Sequence, residues 1–425
     1  MTDVVDAESV GLSTERLKRV SRWLDDQTTS QRLAGAGVLI GRHGRTAHFE
    51  TSGYADIETG RAFERDTVVR IYSMTKPITT VAAMMLYEEG CFQLDDPLEK
   101  FLPEFGEMRV WSGGGSDIND TDPAASSITI KQIMTHTSGL TYGFMNATPV
   151  DAAYRERGIE FPGANGELGD WVRALADVPL LSQPGDQWNY SVSSDVLGRL
   201  IEVWSGQNLR SFLKQRVFEP LGMIDTDFHV RAENHDRFAT LYGPLGGGDL
   251  SNVGRTTKSS DGPIRPAGLE VRDTFRESRF LQPATLYSGG GGLVGTMSDY
   301  GRFCRMLLNN GELDGVRLLG RTTVAHMRIN HLPDGRDMAA MGQPVWSETS
   351  YSGIGFGLGF AVVLDPVKAH FITSKGEHHW GGAASTFFWL DALEDLYVVF
   401  FTQLIPSSTY PLRRELRTMV YQALT

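Results

Sequence analysis

Ser73 stands three residues before Lys76 in the stretch IYSMTKPITTVAAMMLYEEG (71–90), at the mouth of an apolar helical run. On a helix, positions i and i+3 share a face about 5–6 Å apart, so a lysine amine can reach a serine hydroxyl one turn earlier. An ammonium cannot accept a proton. Lys76 can act as a base only where burial or nearby positive charge holds it neutral. Pro77 suits the first turn of a helix, where a missing N–H costs little. Ser73 then sits at the helix N-terminus, where backbone donors and the dipole favour developing negative charge. The same spacing recurs at Ser211 and Lys214 in LRSFLKQRVF, with Phe212 and Leu213 between them in a mid-helix setting where a structural role suffices. Local spacing alone leaves Ser73 open between a nucleophile and a helix-starting serine.

Two further stretches bear on the choice. In QPGDQWNYSVSSDVLGRLIE (183–202), a turn leads to Tyr190 and then to a helix starting at Ser193 or Ser194. A tyrosine in that place usually packs its ring and leaves its hydroxyl to water. In HHWGGAASTFFWLD (378–391), Trp380-Gly381-Gly382 leads into a strand. Such a glycine pair marks a bulge or a close backbone contact. It also fits a strand edge that binds an oxyanion.

The elements that would position these residues follow from periodicity. Residues 13–29 form a helix with Leu17, Val20 and Leu24 on one face and Ser13 as N-cap. Residues 36–56 read as two strands joined by a tight turn at His43-Gly44. Helices are expected at 76–89, 129–135, 169–178, 193–204, 208–217 and 297–315. Residues 110–127 and 241–266 lack an apolar period and read as irregular surface segments. Strands return at 355–365, 383–391 and 396–403, the last two as a hairpin across ALED, and an amphipathic helix spans 411–425 with Leu412, Leu416 and Val420 on one face. The expected architecture is α/β plus α: an antiparallel sheet from both ends of the chain, flanked by the terminal helices, with a helical second lobe. The expected division is 1–72 with 290–425 as the sheet domain and 73–289 as the helical one. A cleft between such lobes is where a site belongs.

Of the 425 residues 41% are apolar and 22% charged, a globular composition. The formal charge of −12 argues against nucleic acid or an anionic membrane as partner, since both need basic patches. Cys91 and Cys304 lack metal-ligand spacing, and no disulfide is expected. The acidic N-terminus does not resemble a secretory signal, and the longest apolar runs, such as LYVVFF (396–401), are too short to span a bilayer. A cytoplasmic protein is expected.

Ser-x-x-Lys, then a tyrosine after a Pro-Gly turn, then a glycine motif on a late strand resembles the serine β-lactamase and penicillin-binding-protein superfamily. IKQIMTHTSGL (130–140), FEPLGMIDTDF (218–228) and GGGLVGTMSDYGRF (290–303) carry the likeness across nearly the whole chain. Within it, the chain is most similar to the family VIII carboxylesterases, relatives of class C β-lactamases that act on esters. Class C enzymes have Lys-Thr-Gly where Trp380-Gly381-Gly382 stands, so the anchor for a substrate carboxylate is missing; Trp-x-Gly is the family VIII form. Their Tyr-x-Asn is here Tyr190-Ser191-Val192, without the amide that would meet an acylamido side chain.

The resemblance implies that Ser73 attacks an ester carbonyl and that Lys76 and Tyr190 share the proton transfers, in an order it leaves open. It implies an oxyanion hole from the backbone N–H groups of Ser73 and Ala383, and no cofactor or metal. Trp380, Gly381 and Gly382 would line the substrate site. Tyr142 and Phe144 are further lining candidates, for which loop packing is the first expectation. The implied substrate is a small neutral ester with a short acyl chain, with weak activity towards cephalosporins. An acyltransferase of the same fold and a class C-type β-lactamase or D-peptidase are the alternatives. A non-catalytic binding module is disfavoured, because a binder has no need of a paired base.

Other chemistries lack their residues. No Gly-x-Ser-x-Gly elbow is present for an α/β-hydrolase. His378 and His379 are adjacent, so they point to opposite faces of a strand, and they read as strand-edge residues rather than zinc ligands. SGGGGLVG (288–295) lacks the Gly-Lys-Ser/Thr of a phosphate loop. His136 reads as a helix-end residue held by hydrogen bonds.

Overall fold

The computed structural model describes residues 3–159, 166–247, 268–342 and 351–425. Helix α1 (Thr14–Thr29) begins where expected, with the Ser13 hydroxyl accepting from Arg16 N–H. Strands β1 (Gly35–Arg42) and β2 (Arg45–Asp56) form a hairpin whose turn puts His43 at φ +52° and Gly44 at φ +71°. These are the left-handed conformations that a two-residue hairpin turn needs. A short strand β3 (Arg61–Ala62) pairs with β2.

The remaining strands of the large sheet come from the far end of the chain: β4 (Ile354–Phe356), β5 (Ala361–Val363), β6 (His378–Gly381), β7 (Phe387–Asp391) and β8 (Leu396–Thr402). The order is β4-β5-β6-β7-β8-β1-β2-β3, antiparallel throughout. β1 therefore joins the two ends of the chain by pairing with β8, Val38 opposite Phe400.

The apolar run of β8 is continuous because both faces of the sheet are covered. Val398 and Phe400, with Val38 and Ile40 of β1, pack with Leu17, Val20 and Leu24 of α1 and with Leu416 and Val420 of the C-terminal helix (Leu412–Tyr421). Tyr397, Val399 and Phe401, with Leu39, belong to the main core on the other face, together with Tyr300 and Phe303 of the helix Met297–Leu308. The period of two decides which side chain joins which layer.

Between these two contributions the chain is largely helical. Helix α2 (Thr75–Glu88) is buried from Thr75 to Leu86, which accounts for its lack of a polar face. Helices α3 (Ile130–Met134) and α4 (Ser193–Ser205) complete the set around the site.

Several segments depart from the periodicity. Residues 355–365 form two strands, because the chain reverses at Gly359 (φ +91°), where a Cβ would lie 2.6 Å from Thr80 Oγ1 of α2. The strand expected from 383 starts at Phe387, after a turn with Ser385 at φ +63°. The helix from Met297 stops at Leu308, and Glu312–Leu313 pairs with Val316–Arg317. The helix at 208–217 runs regularly only over Leu209–Leu213. Arg109–Trp111 pairs with Thr121–Pro123 at the ends of the expected loop, and Leu241–Pro244 pairs with Leu269–Asp273. Residues 248–266 of the second irregular segment lie outside the described residues. Cys91 and Cys304 are both free thiols.

Candidate active site

Ser73 lies in a single 3-10 turn, Tyr72–Met74, that runs into α2. Tyr72 before it has φ +42°, a conformation an aromatic residue adopts only when its surroundings impose it. Ser73 is 5% exposed and Lys76 1%. Lys76 Nζ lies 3.2 Å from Ser73 Oγ and donates to the Gly290 carbonyl at 2.7 Å. Burial pulls its amine down to about 7, against the field of Asp195, which works the other way. Near neutral pH a large share of Lys76 is then uncharged and able to accept a proton.

Tyr190 comes from the segment that precedes α4. Its hydroxyl accepts from Trp380 Nε1 at 3.4 Å and is hydrogen-bonded with Ser73. Burial pushes its phenol well up, and those two hydrogen bonds offset only part of this. Tyr190 therefore stays protonated, while Lys76 titrates near neutrality. The Lys76 amine lies 4.6 Å from the centroid of the Tyr190 ring. That ring packs against Trp380 at 5.4 Å, Tyr142 at 5.3 Å and His136 at 5.1 Å, and stacks on Trp188 at 6.1 Å. Aromatic contacts on this scale fix a ring's position, and hence its hydroxyl.

Trp380 reaches the site from β6. Beyond it, Gly382 N–H donates to Thr386 O at 2.7 Å and closes the β6–β7 turn. A Cβ on Gly382 would overlap the Ile71 carbonyl oxygen, so this turn abuts the chain two residues before Ser73. Ala383 and Ala384 pack with Tyr72 in one apolar cluster. The residues expected at 71–76, 190 and 380–383, far apart in the chain, thus meet.

Tyr142 is buried in this constellation, 4.6 Å from the half-buried Phe144 ring that stacks on its outer side. His136 is buried, with Nδ1 3.1 Å from Ser191 Oγ, in a hydroxyl chain that continues to Ser193 and Ser138. His378 and His379 correct an expectation: β6 has β5 and β7 on either side, and both rings are buried. His379 Nδ1 meets Glu377 Oε1 at 2.7 Å, and Glu377 is also bound by Arg417. Ser211 is part of a helix start, its N–H donating to Asn208 Oδ1, and Lys214 faces solvent beside Glu219. Among the described residues no cluster of metal-ligating side chains occurs.

Sequence reasoning gave no role to Asp195, Ser288 and Gly290: the Gly290 carbonyl accepts from Lys76, and Asp195 accepts from Ser288 Oγ and Gly290 N–H. The available signals were an aspartate one helical turn past the tyrosine motif and a glycine run left without a role.

The Beta-lactamase family profile matches residues 20–419. The chain belongs to the beta-lactamase family. It is 35% identical to Protein Rv1367c of Mycobacterium tuberculosis over 378 residues, 88% of this chain and 86% of that protein. It is 32% identical to Esterase EstB of Burkholderia gladioli over 406 residues, 95% and 94% of the two chains. Among solved structures it is similar to EstCE1, described as a hydrolase with promiscuous acyltransferase activity, with a TM-score of 0.76 at 28% identity, covering 96% of this chain and 99% of that one. The beta-lactamase fold and the esterase branch of the family both stand on these likenesses.

Proposed function

We propose that the protein is a cytoplasmic serine carboxylesterase that hydrolyses small neutral esters of short acyl chains through an acyl-enzyme on Ser73. The observation that carries this is the buried Lys76 amine, 3.2 Å from Ser73 Oγ and held near neutrality. Neutral Lys76 takes the Ser73 proton as Oγ bonds to the ester carbonyl carbon. The resulting oxyanion is held by the Ser73 and Ala383 N–H groups, a role supported by the contact between the Gly382 turn and Ile71. Tyr190, already protonated, gives its proton to the departing alkoxide as the ester C–O bond breaks, and Lys76 re-protonates it. Water then attacks the acyl-enzyme, losing a proton to the same pair, which returns it to Ser73 Oγ as the acyl C–O bond breaks and the acid leaves.

The aromatic lining by Trp380, Tyr142 and Phe144 supports a neutral substrate, as does the absence of a cation at position 380. Ring opening of cephalosporins is expected to be weak for the same reason. The likeness to EstCE1 supports a second outcome, capture of the acyl group by an alcohol. The two-unit division at 1–72 with 290–425 and 73–289 is supported by the sheet strands lying within 35–62 and 354–402, and it sets Ser73 at the junction. Among the described residues no helix is long and apolar enough to cross a membrane.

Labelling with a p-nitrophenyl phosphonate followed by mass spectrometry should place the adduct on Ser73. Ser73→Ala should lose p-nitrophenyl butyrate hydrolysis by about a thousandfold or more while melting like the parent. Label on another serine, or surviving activity, refutes the assignment. An added alcohol that yields a new ester would show transfer.

A further inference from the structure

The glycine run at 288–292 and the first turn of α4 meet beside Lys76, in an arrangement the acyl-transfer steps do not use. Asp195 is 2% exposed. Its Oδ1 accepts from Ser288 Oγ at 2.5 Å and from Gly290 N–H at 3.0 Å. The Gly290 carbonyl accepts from Lys76 Nζ at 2.7 Å, and the Gly289 carbonyl accepts from Thr79 Oγ1 of α2 at 2.8 Å. Among the described residues no donor reaches Asp195 Oδ2. A Cβ on Gly290 would lie 2.5 Å from that oxygen and 3.1 Å from the Tyr142 hydroxyl, and one on Gly289 would lie 2.5 Å from Ser194 O. The glycines let this loop approach α4 closely enough for its backbone to join Asp195 to Lys76.

A buried carboxylate with one oxygen unsatisfied is expensive, and an apolar side chain of similar size would be cheaper for the fold. Its place in the first turn of α4 eases the charge without requiring it. Packing therefore does not account for Asp195.

We propose that Asp195 is a positioning residue for Lys76: through Ser288 and the Gly290 backbone it holds the carbonyl that aims the amine at Ser73, and it presents the carboxylate that faces that amine. This rests on the Ser73–Lys76 assignment above. The groups facing Lys76 are Asp195 from α4, Tyr190 from the segment before it, and His136 and Tyr142 from the chain after α3. Burial pushes both phenols up, and it pushes the His136 ring well down, with Lys76 adding to that. These three are neutral at pH 7; burial pushes the Asp195 carboxyl up, against the Ser288 hydroxyl, the Lys76 charge and the Gly290 N–H, and as a carboxylate it supplies the opposing charge.

The test is the pH profile of kcat/KM for a neutral ester from about pH 5 to about pH 9. In Asp195→Asn the amide oxygen can keep both hydrogen bonds while the charge goes. The acid limb should then move to lower pH by about one unit. Ser288→Ala keeps the charge but loosens the Gly290 carbonyl, so kcat should fall about tenfold with KM changed less than about twofold. An Asp195→Asn enzyme that melts like the parent and leaves the limb in place overturns the inference, as does an unchanged kcat in Ser288→Ala. Where Asp195→Asn fails to fold, Ser288→Ala decides alone. Failure of phosphonate to label wild-type Ser73 would remove the nucleophile assignment itself. A labelled Ser73 with an unmoved limb would remove only the role of Asp195.

Discussion

At the scale of single residues, the proposed mechanism rests on pushing two groups of similar ordinary pKa apart. An exposed lysine and an exposed tyrosine both titrate near ~10 and neither is a base at neutral pH. Burial acts on both but in opposite directions, because it disfavours an ammonium and a phenolate alike. Lys76 descends to about 7 and Tyr190 rises, which in the proposed mechanism makes one the base and the other the donor. The expected consequence is a kcat/KM that climbs about tenfold per unit below about pH 7 and levels above it, as Lys76 loses its proton. A stopped-assay series in constant-ionic-strength buffers checks this; a rate flat from pH 5 to 8 would contradict it. The same burial has a cost: the unfolded chain binds a proton that the folded chain does not, so stability rises with pH from about 7 towards the ordinary lysine value. The proposed oxyanion hole depends on Gly382 as well. In Gly382→Ala the methyl must displace either the β6–β7 turn or Ile71, and with it the Ala383 amide. If the Ala383 N–H is the donor proposed above, its loss should cost about a hundredfold or more in kcat, and KM should move much less.

At the scale of elements, the strand that carries Trp380 is tied to the C-terminal helix by charge. Arg417 binds both oxygens of Glu377, at 2.9 and 3.0 Å, and His379 and the Thr373 hydroxyl complete the carboxylate's shell. Burial pushes the Glu377 carboxyl up, yet Arg417 and His379 hold it well below the usual carboxylate range. That depressed value means the stabilisation is present above the unfolded-state value of about 4.3 and fades as pH falls below it. Arg417→Ala leaves the carboxylate buried without its partner and should destabilise by about 3–5 kcal/mol. Urea unfolding at neutral pH measures the loss. Because β6 also positions Trp380, activity should decline at temperatures where the parent is unaffected.

At the scale of the whole molecule, a −12 chain surrounds a site whose lining is aromatic. A neutral ester gains nothing from the protein's field, whereas an anionic ester is repelled until salt screens it. Raising ionic strength from about 0.01 M to about 0.5 M should leave kcat/KM for a neutral butyrate ester within about twofold and raise it several-fold for an ester bearing a carboxylate. Equal responses from the two substrates would remove the electrostatic account of selectivity.

Some of this was legible without coordinates. The α1 stripe, the His43-Gly44 turn and the amphipathic C-terminal helix follow from side-chain period and turn chemistry, which act over a few residues. Ser73, Lys76, Tyr190 and Trp380 could be singled out by type and order, because proton transfer needs few kinds of side chain. The glycine run stayed mute, since glycine records a close approach without naming what approaches. The four-residue spacing by itself does not separate Ser73-x-x-Lys76 from Ser211-x-x-Lys214; in the structure one lysine is buried beside α4 and the other faces water. Asp195 gained meaning only from Ser288 and Gly290, more than ninety residues away in the chain. Residue identity and order were thus settled by the sequence. Burial and field, which decide which amine is a base, come only from packing, because desolvation is a property of everything that surrounds a group.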